Sequence, residues 1–122
     1  SRRILLVEDD ALIRMATADM LTDLGHKVIE AGDGTQALAL LEAQTVDVLI
    51  TDIGLPGISG TELAKAARAG NASLPVIFAT GVTPSANDEI SAAIPGAVFL
   101  HKPYSIPGLT EAIATLDNRR SD

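Results

Sequence analysis

The sequence predicts an α/β domain in which short strands and helices alternate along the chain. Three observations carry this prediction: 122 residues suit one domain, a hydrophobic fraction of 47% suits a folded core, and five short apolar runs alternate with stretches of helical periodicity. Only 2% of the residues are aromatic. The core is therefore expected to be aliphatic, built from Ala, Val, Ile and Leu.

Five apolar runs are interpreted as strands because each is short, rich in β-branched or bulky residues, and bounded by turn residues. Most of the runs are continuous rather than alternating, which is typical of strands covered on both faces. The runs are residues 4–7, 27–29, 46–51, 75–79 and 97–100.

Apolar residues at helical spacing predict four helices, over residues 11–24, 36–43, 61–69 and 106–116. Asp10 is the expected N-cap of the first helix, and Gly25 its expected stop. A further helix over residues 87–94 is weaker, because Pro84 precedes it, Pro95 follows it, and two turns are marginal alone. We expect this segment to be short or mobile.

The βαβαβαβαβα alternation implies a parallel sheet with right-handed crossovers and helices on both faces. Five strands fit a flavodoxin-like (βα)5 three-layer sandwich with strand order 2-1-3-4-5. The domain is expected to span residues 1–117, with residues 118–122 as a C-terminal tail.

Charge and cysteine content exclude several classes of function. The net charge is −7, which disfavours direct contact with nucleic acid or with an anionic membrane surface. There is no cysteine, hence no disulfide framework and no thiolate metal site. No apolar run approaches the roughly 18 residues of a membrane span, so a cytoplasmic location is expected.

Acidic residues follow two strands that are neighbours in the predicted sheet. Ligands of open α/β sheets bind beyond the carboxyl ends of the strands. Glu8 and Asp9 follow strand one, and Asp52 ends strand three. In the predicted order these two strands are neighbours, roughly 5 Å apart. Three carboxylates in one crevice repel each other unless a cation joins them. An all-oxygen donor set favours Mg²⁺, with Mn²⁺ or Ca²⁺ as alternatives.

Thr80 ends strand four and Lys102 follows strand five, so both belong to the same edge. A Lys ammonium pairs with a phosphoryl oxygen, and a Thr hydroxyl donates a hydrogen bond to another. A carboxylate can attack phosphorus to form an aspartyl phosphate. Because Asp52 is central to this group, it is the predicted nucleophile for phosphoryl transfer, followed by hydrolysis.

Four segments, ILLVEDD, DVLITDIGLPGISG, PVIFATG and FLHKPYS, resemble in order the motif blocks of response-regulator receiver domains. The resemblance spans nearly the whole chain. It implies that Asp52 is the phosphoacceptor and that Asp9, Asp52 and the carbonyl of Gly54 bind Mg²⁺ directly, with Glu8 acting through water. It also implies that Thr80 and Lys102 contact the phosphoryl group.

The same resemblance implies a signalling module rather than an enzyme acting on a separate substrate. A histidine kinase or phosphotransfer protein would donate the phosphoryl group, and Phe99 would be the switch aromatic. A downstream protein would dock on the face of the fourth helix, strand five and fifth helix, on a monomer or weak dimer. PVIFATG further resembles a subgroup of single-domain receivers, and no DNA-binding output domain is expected in this chain.

Other interpretations compete with this one. Phe99 packs equally well as a plain core residue, and the chain could be part of a larger regulator or hybrid kinase. A Mg²⁺-dependent phosphatase would need an acid/base residue two positions after Asp52, where Gly54 stands. A binding module that is never phosphorylated would not need the set Glu8, Asp9, Asp52, Thr80 and Lys102. No Gly-x-Gly-x-x-Gly follows strand one, which disfavours dinucleotide binding.

Overall fold

The computed structural model describes residues 2–80, 93–101 and 105–120, and for residues 80, 101 and 117–120 it describes the backbone alone. Strands and helices alternate through these ranges. The strands are β1 (Arg3–Val7), β2 (Lys27–Ala31), β3 (Val48–Asp52), β4 (Val76–Thr80) and β5 (Val98–His101). The helices are α1 (Ala11–Asp23), α2 (Gly34–Ala43), α3 (Gly60–Gly70) and the C-terminal helix (Ile106–Arg120).

The five strands form one parallel sheet in the order β2-β1-β3-β4-β5, which confirms the predicted topology. In this register the carboxyl ends of β1, β3 and β4 lie side by side. Val7 of β1 pairs with Thr51 of β3, and Asp52 pairs with Ala79 of β4. The residues that follow β1 and β3 therefore leave the sheet side by side.

Successive strand residues point to opposite faces of the sheet, and each face carries its own buried cluster. On one face, the strands pack against α2 and α3 through Leu5, Val7, Ala37, Leu49, Leu63, Ala64, Ala67, Val76 and Phe78. On the other, they pack against α1 and the C-terminal helix through Ile4, Leu6, Ala18, Leu21, Val48, Ile50, Ile77, Leu109 and Ile113. The result is the predicted three-layer sandwich with a mainly aliphatic core.

Local capping explains where the helices begin. The Asp10 carboxylate accepts the backbone N–H groups of Leu12 and Ile13, so it caps α1 as predicted. Asp33 accepts the N–H of Gln36, and α2 accordingly begins two residues before its predicted start at residue 36. Gly25 has a φ of 94°, a left-handed conformation that favours glycine after a helix.

The C-terminal helix corrects one predicted boundary. Its backbone runs to Arg120, whereas the periodicity of apolar residues predicted an end at Leu116. Residues 118–120, assigned to a tail, continue the helical backbone; the division into residues 1–117 and 118–122 is otherwise still a prediction. The predicted helix over residues 87–94 lies largely outside the described residues.

Within the described ranges, no helix combines the length and the apolar character that crossing a membrane requires.

Candidate functional site

Three carboxylates meet at the carboxyl edge of β1 and β3. Each of Glu8, Asp9 and Asp52 offers an oxygen, and these oxygens all lie within 4.8 Å of one another. We call these three residues the acidic triad. The structure thus brings together the side chains that the sequence placed at adjacent strand ends. The donor set is all oxygen, which suits a hard divalent cation such as Mg²⁺.

Glu8 is the buried member of the acidic triad, with 1% of its surface exposed. Its backbone N–H donates to the carbonyl of Ala31 (3.1 Å), and its carboxylate Oε2 accepts the N–H of Asp10 (3.2 Å). A buried carboxylate is costly unless polar or charged groups compensate it. A cation bound by its neighbours would add to that compensation.

Asp9 and Asp52 face solvent to different degrees. Asp9 is exposed, whereas Asp52 is half-buried at the end of β3. Oxygen Oδ1 of Asp52 accepts the backbone N–H of Gly54 (3.1 Å), which orients the carboxylate toward the loop after β3. The triad is therefore accessible from solvent on the Asp9 side and closed on the Glu8 side.

The first residue of α3 packs closely against the backbone of Asp52. The N–H of Gly60 donates to the carbonyl of Ile53 (2.9 Å), and the N–H of Ile53 donates to the carbonyl of Ala79 (3.3 Å). A Cβ atom on Gly60 would collide with the carbonyl oxygen of Asp52. Residue spacing in the sequence does not indicate this contact of Gly60. The missing signal is the close approach of a helix to a particular carbonyl, which depends on tertiary packing.

Arg14 contacts the acidic triad, and the sequence analysis did not predict this contact. Its Nη1 donates to the carbonyl oxygen of Glu8 (2.7 Å), and its Nε lies 3.4 Å from Oε1 of Glu30. The available signal was its spacing, one helical turn after the N-cap Asp10, which points the side chain back toward the β1 end.

Of the remaining predicted site residues, the structure describes the backbone of Thr80 and both the backbone and the side chain of Phe99. Thr80 is the last residue of β4 and pairs with His101 of β5, although its side chain is not described. Lys102 lies outside the described residues. Phe99 of β5 stacks on Phe78 with ring centroids 5.8 Å apart. The structure thus shows Phe99 packed against the core, and its role as a switch remains a prediction.

A cavity among the described residues lies elsewhere. It has a volume of about 810 Å³ and is lined by the C-terminal ends of α2 and α3 and by Val46 and Leu74, which precede β3 and β4. This is the opposite edge of the sheet from the acidic triad. The acidic triad, by contrast, is a charged cluster, and its member Asp9 is exposed.

Comparison with known proteins agrees with this geometry. The family model of the response regulator receiver domain matches residues 4–114. The transcriptional regulatory protein PdtaR of Mycobacterium tuberculosis is 35% identical over 92% of this chain and 55% of its own length. Chemotaxis protein CheY of Pseudomonas aeruginosa is 34% identical over 96% of this chain and 97% of its own length. The chain therefore spans about half of PdtaR and nearly all of CheY.

A solved structure of the response regulator TrrA from Thermotoga maritima, in complex with Mg²⁺-BeF, superposes with a TM-score of 0.82 and 30% identity. The match covers 95% of this chain and 99% of TrrA. Fold, strand order and sequence blocks all point to one family. This chain belongs to the response regulator receiver domains, the signalling modules of two-component systems.

Proposed function

We propose that this receiver domain accepts a phosphoryl group on Asp52 from a histidine kinase or a phosphotransfer protein, with Mg²⁺ bound beside it. The observation that carries the proposal is the acidic triad, whose oxygens lie within 4.8 Å of one another with Asp52 at the end of β3. Phosphorylation then changes which protein the domain binds, so the chain acts as a switch in a phosphorelay.

The cation site draws on Asp9, Asp52 and the backbone carbonyl of Gly54 as direct ligands, with Glu8 acting through water. This set fits Mg²⁺, which usually takes one or two carboxylates, keeps several waters and shares a phosphate oxygen. Mn²⁺ can occupy the same set. When bound, the ion offsets negative charge on the carboxylates and the incoming phosphoryl group. The Mg²⁺-BeF complex of the related TrrA supports this assignment.

The chemistry is a displacement at phosphorus. A carboxylate oxygen of Asp52 forms the new P–O bond while the bond from phosphorus to the donor's histidine nitrogen breaks, and that nitrogen keeps the electron pair. Thr80 and Lys102 contact the phosphoryl oxygens. Water later cleaves the acyl phosphate to give inorganic phosphate and the free carboxylate.

The output is a shift between two conformations of the domain. The added charge on Asp52 attracts Thr80 and Lys102, and Phe99 of β5 responds to the movement of Thr80. The proposed docking surface is the face of the fourth helix, predicted over residues 87–94, together with β5 and the C-terminal helix. We propose that a downstream protein binds there and that the domain acts in the cytoplasm as a monomer or weak dimer, without contacting nucleic acid.

The proposal is tested by exposing the protein to a small phosphodonor with and without Mg²⁺ and measuring its intact mass. One base-labile phosphoryl group should be added in the presence of Mg²⁺, and Asp52→Ala should remove it. Asp19→Ala, which changes an exposed carboxylate of α1, is the matched control and should be modified like the wild type. The same adduct in Asp52→Ala would overturn the assignment.

A further inference from the structure

Arg14 contacts residues at the carboxyl ends of β1 and β2, next to the acidic triad. From α1, its guanidinium donates to the carbonyl oxygen of Glu8 after β1 (2.7 Å) and pairs with the carboxylate of Glu30 in β2 (3.4 Å). The same Nη1 would lie 3.4 Å from a Cβ atom on Gly32, so it sits close to the backbone after β2. Only 22% of the Arg14 side chain is exposed.

These contacts complete a set that fixes Glu8. Its N–H donates to Ala31, its carboxylate accepts the N–H of Asp10, and its carbonyl accepts the guanidinium of Arg14. Rotation of the peptide after Glu8 would break the contact to Arg14 and turn the following residue, Asp9. A hydrogen bond from a charged donor such as a guanidinium to a carbonyl oxygen is stronger than one between two uncharged groups. One guanidinium therefore contacts the backbone between the two triad residues Glu8 and Asp9.

We infer that Arg14 is a positioning residue for the divalent-cation site, holding Glu8 and Asp9 in the orientation that binds Mg²⁺. The inference rests on the proposed function, because it concerns the cation that assists phosphorylation of Asp52. Groups that orient metal ligands commonly contribute roughly 10–100-fold to metal affinity. Arg14 is expected to act in this way, through the backbone of Glu8.

The charge of Arg14 makes this inference sharply testable. A cation near the triad repels Mg²⁺, so if Arg14 acted through its charge alone, its removal would tighten Mg²⁺ binding. If Arg14 acts by positioning, its removal weakens binding despite the loss of that repulsion. Lysine keeps the charge but lacks the planar fork that reaches Glu8 and Glu30 together. The two explanations therefore predict opposite signs for Arg14→Ala and different results for Arg14→Lys.

The experiment is a titration with MgCl₂ followed by calorimetry and by amide NMR, on the wild type, Arg14→Ala and Arg14→Lys. We expect Arg14→Ala to weaken Mg²⁺ binding roughly 10-fold or more and Arg14→Lys to weaken it as well. The amide of Asp10, which donates to Glu8, should shift in both variants. Arg68→Ala is the matched control, since Arg68 also donates to backbone carbonyls, those of Leu74 and Pro95, far from the triad. Its Mg²⁺ affinity should equal that of the wild type.

The outcomes separate the two claims. A wild-type protein that fails to bind Mg²⁺ contradicts the proposed function itself. A wild-type protein that binds Mg²⁺, together with unchanged or tighter binding by Arg14→Ala, contradicts the positioning inference alone. If Arg14→Ala does not fold, Arg14→Lys decides: weaker binding supports positioning, and wild-type binding refutes it.

Discussion

The carbonyl oxygen of Asp52 occupies the space that a Cβ atom on Gly60 would need. This contact ties the first residue of α3 to the last residue of β3, so the helix supports the backbone of the proposed phosphoacceptor. It also makes the position of Asp52 dependent on a residue further along the chain that carries no functional group.

Gly60→Ala should therefore destabilise the fold, by about 1–3 kcal/mol, because an added methyl group forces a packed backbone to shift. Gly70, at the other end of α3, has open space where a Cβ atom would lie, with no neighbouring atom within 4 Å, so Gly70→Ala is the matched control. It should be neutral or stabilising by about 0.5–1 kcal/mol. Urea denaturation of both variants measures this difference, and a Gly60→Ala protein as stable as Gly70→Ala would contradict it.

Mg²⁺ should raise the unfolding temperature of the wild-type protein. The ion relieves repulsion within the acidic triad in the native state only, and a ligand at 100 times its Kd adds about 2.7 kcal/mol to the free energy of unfolding. Differential scanning calorimetry with and without Mg²⁺ measures the shift. Asp9→Asn should reduce it, and Asp19→Asn should leave it intact. An unchanged wild-type melting curve at millimolar Mg²⁺ would count against the cation site.

Replacing Lys102 should separate metal binding from the response to phosphate. Its ammonium is assigned to a phosphoryl oxygen rather than to the cation, so Lys102→Ala should keep Mg²⁺ affinity largely unchanged while lowering the rate of phosphorylation and weakening the resulting conformational change. Lys65→Ala removes an exposed lysine of α3 and should behave like the wild type in both measurements. Loss of Mg²⁺ binding in Lys102→Ala would show that this assignment is wrong.

His26 should make stability depend on pH. Burial, and after it the positive charge of Arg2, lowers the pKa of His26 below its ordinary 6.5. Its Nδ1 accepts the backbone N–H of Arg2 (3.3 Å), a contact that requires the neutral ring. The unfolded chain therefore binds the proton more readily, so this contribution is complete above pH 6.5 and is lost as the pH falls below that value.

The comparison is between the wild type and His26→Gln, which keeps an acceptor for Arg2. Between about pH 7.5 and about pH 5.5, the wild type should lose more unfolding free energy than the variant, as measured by urea denaturation at each pH. Equal losses would show that His26 titrates alike in the folded and unfolded states.

The topology was predictable because its determinants are local. Continuous apolar runs such as residues 75–79 marked strands covered on both faces, and the alternation with helices left few possible sheet orders. The proximity of Glu8 and Asp52 then followed from that order alone, since both stand at the ends of neighbouring parallel strands.

Side-chain contacts between different helices and strands were not predictable in the same way. The spacing of Arg14 from Asp10 indicates which end of α1 its side chain faces, but its bonds to Glu8 and Glu30 also depend on its side-chain conformation and on how α1 packs. The end of the C-terminal helix was placed too early because polar residues after Leu116 show no apolar periodicity. Once a helix is established, each added residue costs little, so polar residues can extend it.

The most direct test of the account is to map the phosphoryl group to a residue. After phosphorylation by a small phosphodonor with Mg²⁺, peptide mass spectrometry should place one base-labile group on Asp52, and omission of Mg²⁺ should greatly reduce its yield. A group located on any other residue, or an equal yield from Asp52→Ala, would contradict the account.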